Sequence, residues 1–203
     1  MKKYSFFYLI ALAIILLDQS TKLLVHFNMR PYQDEIPLLG NWLKISYVLN
    51  AGMAFGITLS TPYGKLILTV FRIIAVIAII YYIKYLVDKK AHKGFIVSIA
   101  MILAGALGNA IDSIFYGVFL GNAPDGSPTP WFHGQVIDMI YVDIWKGIVP
   151  NWIPIIGGEY YALWPVFNIA DSAIFVAVTI IFIWQGSFFE PKKGEEEEVK
   201  TVA

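Results

Sequence analysis

Four stretches of this chain are each long enough and apolar enough to cross a lipid bilayer, and that limits every other feature. A hydrocarbon crossing of roughly 30 Å takes about 20 residues at about 1.5 Å each. The stretches cover residues 4–25, 66–87, 95–115 and 164–188. No water reaches backbone groups inside lipid, so such segments read as helices that bond themselves internally. Of the 203 residues, 58% are hydrophobic, above the roughly 45–50% of soluble domains, and the mean hydropathy is +0.64. Fifteen basic and fifteen acidic residues cancel, so no net field points to nucleic acid. The absence of cysteine excludes disulfides, a thiol nucleophile and thiolate-bound zinc. The expectation is an all-α membrane protein, with residues 1–203 forming one integral membrane domain.

Basic residues orient the spans. With both termini cytoplasmic, the inside holds Lys2, Lys3, Lys84, Lys89, Lys90, Lys93, Lys192, Lys193 and Lys200. The outside then holds Arg30, Lys44, Lys65 and Lys146, and this asymmetry favours that orientation. Lys2 and Lys3 ahead of an apolar run could also open a signal peptide. The sequence Asp18-Gln19-Ser20-Thr21-Lys22 that follows offers no small-residue cleavage site. Residues 26–65 and 116–163 become external. The first contains an apolar alternation over 42–49 that reads as a strand or edge hairpin, a small external β element. The second is a loop between spans three and four, rich in Gly, Pro and Trp, with turn signals at Pro124-Asp125-Gly126 and Gly157-Gly158. Trp131, Trp145, Trp152 and Trp164 suit the headgroup zone. The acidic run 195–198 reads as a solvated tail.

Polar residues inside spans carry the functional signal, because a charge at the membrane centre costs about 2.5–3.5 kcal/mol on insertion scales. Asp18 and Lys22 lie four apart on one helix face, as a structural ion pair or with Lys22 in the chemistry. Gly105, Gly108, Asn109 and Asp112 make one stripe on the third span, small at one end and polar at the other. The glycines allow close helix packing; Asp112 is either a structural support or a reacting group, and Arg72 is a candidate partner. Asn50-Ala51-Gly52-Met53-Ala54-Phe55-Gly56 is a simple turn or a close approach to a ligand backbone. Asn168 and Asp171 share a face at the start of the fourth span, where the helix dipole favours negative charge. Asp138 closes Gly134-Gln135-Val136-Ile137-Asp138 in the preceding loop, and nearby Asp143 reads as an interface or loop residue. His26, His92 and His133 form no metal spacing and no Ser/His/Asp set. By elimination the strongest catalytic constellation is a pair of external-side aspartates, Asp138 and Asp171.

Taken together the motifs resemble the bacterial signal peptidase II (lipoprotein signal peptidase) family. They are Asp18-Gln19-x-x-Lys22, Asn50-x-Gly52-x-Ala54-Phe55, Gly105-x-x-Gly108-Asn109-x-x-Asp112, Gly134-x-Val136-x-Asp138 and Phe167-Asn168-x-Ala170-Asp171, in order along most of the chain. The resemblance implies a catalytic dyad of Asp138 and Asp171. It implies a substrate site lined by Asn50, Gly52, Gly108, Asn109 and Asn168, with Asp18, Lys22 and Asp112 in support. It further implies cleavage of prolipoproteins just before a diacylglyceryl-modified cysteine, near the external face of the bacterial cytoplasmic membrane. No metal or organic cofactor is implied, and the partners are the lipidated substrate and membrane lipid, with the enzyme a monomer.

Two departures stand out. Ser113 occupies the position where the family carries an arginine after the third-span aspartate, and residues 116–133 are long for this region. Two close carboxylates share a proton and titrate as one unit, so one can activate water while the other bonds the scissile carbonyl. The rival from another class is a small proton-coupled transporter, which the lack of inverted repeats or broken helices disfavours. A lipid-binding or assembly protein with structural carboxylates is the third reading.

Overall fold

The computed structural model describes residues 3–51, 63–153, 157–158, 160–162 and 164–189. Gly52 and the rest of its glycine motif, and the acidic tail 195–198, lie outside the described residues. Among the described residues, four helices are long and apolar enough to cross a membrane. They are α1 (Ser5–Asn28), α2 (Gly64–Asp88), a third span running through Lys93–Phe119, and α5 (Ile169–Phe189). The third span consists of α3 (Lys93–Ile111), a π-helical turn (Asp112–Tyr116) and the short α4 (Gly117–Phe119). It is the centre of the bundle: α1, α2 and α5 all pack on α3.

Each outer helix is apolar nearly all round, and α1 and α2 bury Asp18, Lys22, Lys65 and Thr69 inward. In α1 the buried residues Phe7, Ala11, Ile15, Asp18, Lys22 and Val25 recur at steps of three or four, which is one helical stripe. Leu9, Leu12, Leu16 and Leu24 face outward, as lipid requires. The lower half of the bundle is a dry core of Phe7, Ala11, Ile83, Ile96, Ala100 and Leu103 among others. The polar residues gather at the opposite end, where the sheet begins.

That sheet is larger than the expected β element. Strands β1 (Glu35–Leu39), β2 (Leu43–Asn50) and β3 (Val136–Val142) form an antiparallel sheet in the order β1-β2-β3. The hairpin expected over 42–49 is present as β1 and β2. The stretch 116–163, read as a loop, contributes β3 as well as a second, two-stranded sheet of β4 (Lys146–Ile148) and β5 (Tyr160–Ala162). Val136 to Met139 are buried without alternation, so the period-two signal that marks a half-exposed strand is missing there. Both turn signals are real: Ser127 N donates to Pro124 O at 3.1 Å, and Gly158, at φ +85°, donates to Val149 O at 2.8 Å. An all-α description is therefore incomplete; the chain is a four-helix membrane bundle carrying a sheet at one end.

The fourth helix begins at Ile169, five residues after the sequence-based start at Trp164. Residue Phe167 is held extended by a bridge to β3, exchanging bonds with Ile140 at 2.7 and 3.0 Å. Helix α5 then opens on a reciprocal cap. Asp171 N donates to Asn168 Oδ1 at 2.9 Å, and Asn168 N approaches Asp171 Oδ2 at 3.4 Å. This is the capping-box arrangement with Asn and Asp in the two roles.

Helix α5 seats on α3 through Gly105 and Gly108. A Cβ on Gly105 would overlap the Ala170 carbonyl oxygen and the Ile174 side chain. Gly105→Ala should therefore destabilise the protein by about 1–3 kcal/mol, the usual cost of overpacking. Thermal unfolding in detergent measures it; an unchanged midpoint would contradict the close packing of these helices.

Candidate active site

A fully buried ion cluster lies between the bundle and the sheet. Lys22 Nζ is 2.8 Å from Asp18 and 2.7 Å from Asp112, all three inaccessible to solvent. Lys22 also donates to Asn109 Oδ1 at 3.1 Å. Gln19, quoted in the first motif but given no role, completes the cluster. Its Nε2 donates to Asp112 at 2.9 Å and to Asp18 at 3.1 Å, and its Oε1 accepts from the Tyr116 hydroxyl at 2.9 Å. The partner of Asp112 is thus Lys22, not Arg72. Buried charges left alone cost several kcal/mol, so this cluster holds its members tightly.

The remaining acceptor sites of the cluster reach the backbone beside each candidate aspartate. Asp112 Oδ2 takes the Ile137 amide at 3.4 Å, one residue before Asp138. Asp18 Oδ1 takes the Ala170 amide at 2.9 Å, one residue before Asp171. Gly108 belongs to this layer: a Cβ there would sit 2.8 Å from Asp18 Oδ2 and 3.2 Å from Ala170 Cβ.

Three asparagines then hold the two carboxylates. Asn168 Nδ2 donates to Asp138 Oδ1 at 2.7 Å and contacts Asn109 Oδ1 at 3.2 Å. Asn109 Nδ2 donates to Asp171 Oδ1 at 2.8 Å. Asn50 Nδ2 donates to Asp138 Oδ2 at 3.0 Å. The strand register explains the last contact: Val48 pairs with Asp138 and Asn50 with Val136, so Asn50 and Asp138 are diagonal neighbours. Asp138, Asp171, Asn50, Asn109 and Asn168 therefore come together from β2, β3, the third span and the start of α5.

The two aspartates are not equivalent. Asp138 is only 2% exposed, whereas Asp171 is half-buried and lines an apolar groove of about 610 Å³. Val142, Ile144, Trp164, Phe167 and Phe175 form its walls. Burial, and after it the negative charge of Asp171, together push the Asp138 carboxyl up to about 7, against the opposing Asn50 and Asn168 bonds and Lys22. Asp143 lies apart, bonded to Lys44 at 3.2 Å and Lys146 at 2.8 Å, and ties the hairpin to the end of β3. His26 meets the buried Tyr47 hydroxyl at 2.7 Å, and His92 caps α3 by accepting the Gly94 amide at 3.2 Å. His133 is buried beside Trp131, whose carbonyl oxygen is 2.9 Å from its Nδ1.

The other surprise is α2. Arg72 Nη1 donates to Ser113 Oγ at 2.6 Å, so the serine at the departure from the family pattern has a cation from another helix. Lys65, counted among the external loop cations, is buried in the first turn of α2 with its ammonium 3.5 Å from Asn50 O. Their spacing of seven on one apolar helix was the available signal.

The elevated carboxyl has a consequence for stability. Folded Asp138 keeps its proton until about pH 7, whereas an unfolded aspartate ionises near 3.9. Its contribution is complete below about pH 4 and is lost as pH rises through about 7. The unfolding midpoint should fall between pH 5 and pH 8 in the parent protein, and that fall should shrink in Asp138→Asn. Identical pH dependence in the two would contradict a protonated Asp138.

Similar sequences and folds occur in other proteins. A family model described as signal peptidase (SPase) II matches residues 10–187. A protein of Amoebophilus asiaticus named lipoprotein signal peptidase is 50% identical over 90% of this chain and 78% of its own length. One of the same name from Porphyromonas gingivalis is 39% identical over 85% of this chain and 80% of its own. Two solved structures described as bacterial membrane enzymes superpose with TM-scores of 0.59 and 0.56, at 26% and 29% identity. They cover 93% and 88% of this chain, and are themselves covered over 93% and 91%. With four membrane-spanning helices and a match along nearly its whole length, the chain is a multi-pass membrane protein of the signal peptidase II family, a family of peptidases.

Proposed function

We propose that this protein is an aspartyl endopeptidase that removes the signal peptide from diacylglyceryl-modified prolipoproteins, cleaving on the N-terminal side of the lipidated cysteine. Membership of the family gives the coarse activity, removal of signal peptides from prolipoproteins. The observation that carries the finer reading is Asn168, whose amide binds Asp138 while its backbone and side chain cap the turn holding Asp171. One residue thus holds two carboxylates next to each other, at the edge of an apolar groove.

The asymmetry of the pair assigns roles. Asp138 carries the proton at and below neutral pH and donates it to the scissile carbonyl oxygen. Asp171, which lines the groove, takes a proton from the attacking water. Water oxygen bonds the carbonyl carbon, giving a tetrahedral diol. Return of a proton to the cysteine nitrogen breaks the C–N bond, releasing a signal-peptide carboxylate and a free amine on the lipoprotein. Asn50, Asn109 and Asn168 orient the dyad; no step is assigned to a metal or organic cofactor.

The groove fits the lipid part of the substrate. Its volume of about 610 Å³ falls in the roughly 300–1,000 Å³ range of pockets that bury a small molecule. Its aromatic and aliphatic walls suit a diacylglyceryl chain held in the membrane. Trp131, Trp145, Trp152 and Trp164 are exposed, as amphipathic aromatics at a membrane interface are, and this supports a site at the external interface with both termini cytoplasmic. A monomer contains all the residues this chemistry uses.

Purified protein in detergent, given a diacylglyceryl-modified prolipoprotein, should release the signal peptide, as followed by mass. Asp138→Asn and Asp171→Asn should each lower the rate at least about 100-fold while remaining folded, and a chelator should leave the parent rate unchanged. Turnover near the parent rate by either variant removes that residue from the dyad. Folded parent protein that does not cleave refutes the reading.

A further inference from the structure

Helix α2 turns Lys65, Thr69 and Arg72 toward the site, at i, i+4 and i+7 of one face. Thr69 is structural: its hydroxyl donates to Phe132 O at 2.8 Å and holds the segment before β3. The two cations do something different. Arg72 donates to Ser113 Oγ at 2.6 Å, Ser113 donates to Asn109 O at 2.9 Å, and the Asn109 amide holds Asp171. Lys65 lies 3.5 Å from the carbonyl oxygen of Asn50, whose amide holds Asp138. Each cation therefore stands one or two residues behind one member of the carboxylate pair.

Neither makes an ion pair among the described residues. A buried or half-buried cation without a carboxylate in contact is costly, and plain helix packing would be served as well by an apolar side chain. The positive charge is nevertheless felt by the site: Arg72 interacts with Asp112, Asp171 and Asp138, and Lys65, in its protonated form, with Asp112 and Asp138. The other charged and titratable groups facing the pair are Asp18 and Lys22 of α1, and Asp112 and Tyr116 of the π turn. Lys22 is already shared between Asp18 and Asp112. Among the described cations facing the pair, Lys65 and Arg72 are the ones without an ion pair to a carboxylate.

We propose that Lys65 and Arg72 are positioning residues of the Asp138–Asp171 pair, set back from the carboxylates so that they favour negative charge there without pairing with either oxygen. A directly bonded cation would lock one aspartate as a permanent anion. One held behind an asparagine or a serine biases the pair and leaves both carboxylates free for water and substrate. In this chain the cation next to the π turn arrives from α2, through Ser113, rather than from the third span itself. The assignment rests on the dyad proposed above.

The test is a titration that needs no substrate. Protein labelled with carboxyl-13C aspartate gives a protonated-carboxyl infrared band, and the part belonging to Asp138 is the part lost in Asp138→Asn. Its midpoint should lie at about 7 in the parent protein. It should rise by about one pH unit in Arg72→Met, the lower end of what a neighbouring opposite charge does to a carboxyl, and by a smaller measurable amount in Lys65→Met. Arg72→Lys and Lys65→Arg should stay close to the parent. Gln variants at both positions carry the test where a Met variant does not fold. An unmoved midpoint in a folded neutral variant overturns the assignment of that residue. Because cleavage is not read, a parent protein that titrates normally but does not cleave refutes the proposed function and not the coupling of these cations to Asp138.

Discussion

The structure depends on one buried lysine. Lys22 binds Asp18, Asp112 and Asn109 together at 2.7 to 3.1 Å, in a place that water does not reach. Buried where an apolar bundle meets the sheet, three charges are tolerated only if each is the solution to the others. The spare oxygens of the two aspartates then determine where other elements sit. Asp18 fixes the amide of Ala170 and so the first turn of α5, and Asp112 fixes the amide of Ile137 and so the middle of β3. The candidate dyad residues, Asp171 and Asp138, are the next ones along these two segments. Position, in this protein, is passed from an ion cluster to backbone amides and from those to the carboxylates.

The irregular backbone of the third span has a related explanation. Between Asp112 and Tyr116 the helix loosens into a π turn, and carbonyls of the turn bond to the segment before β3: Ser113 O accepts the Gly134 amide at 3.0 Å, and Ile114 O the Phe132 amide at 3.2 Å. The segment leading into β3 is thereby fastened to the helix that carries Asn109 and Asp112. Gly134 is required at that contact because a Cβ would overlap Asp112 O. Single-turn π segments often accompany functional sites, and here the turn both docks β3 and presents Ser113 to Arg72.

Much of this was legible in the residues, for identifiable reasons. Long apolar runs have one physical solution in lipid, so the four spans were readable to within a few residues at most ends. Asp18 with Lys22 on the first span, and Asn109 with Asp112 on the third, were readable as same-face groups because helical periodicity aligns them. The start of α5 was not, since Trp164 to Phe167 is as apolar as a helix but is claimed by a bridge to Ile140. Strand β3 was hidden because it is buried on both faces and shows no alternation. Lys65 and Arg72 were read by charge as loop and span residues; what gives them a role is Asn50 and Ser113, contacts that join segments far apart in sequence. Local patterns reveal faces, and tertiary contacts decide what those faces meet.

The central claim is that Asp138 supplies a proton and Asp171 accepts one. The most direct measurement is the dependence of the parent protein's cleavage rate on pH, with saturating lipidated substrate. The account predicts a rate that falls as pH rises through about 7, where Asp138 loses its proton, with the apparent value belonging to the pair as a unit. A rate that climbs through neutrality to a plateau at alkaline pH would contradict it, because the proton assigned to Asp138 would then be an obstacle to catalysis.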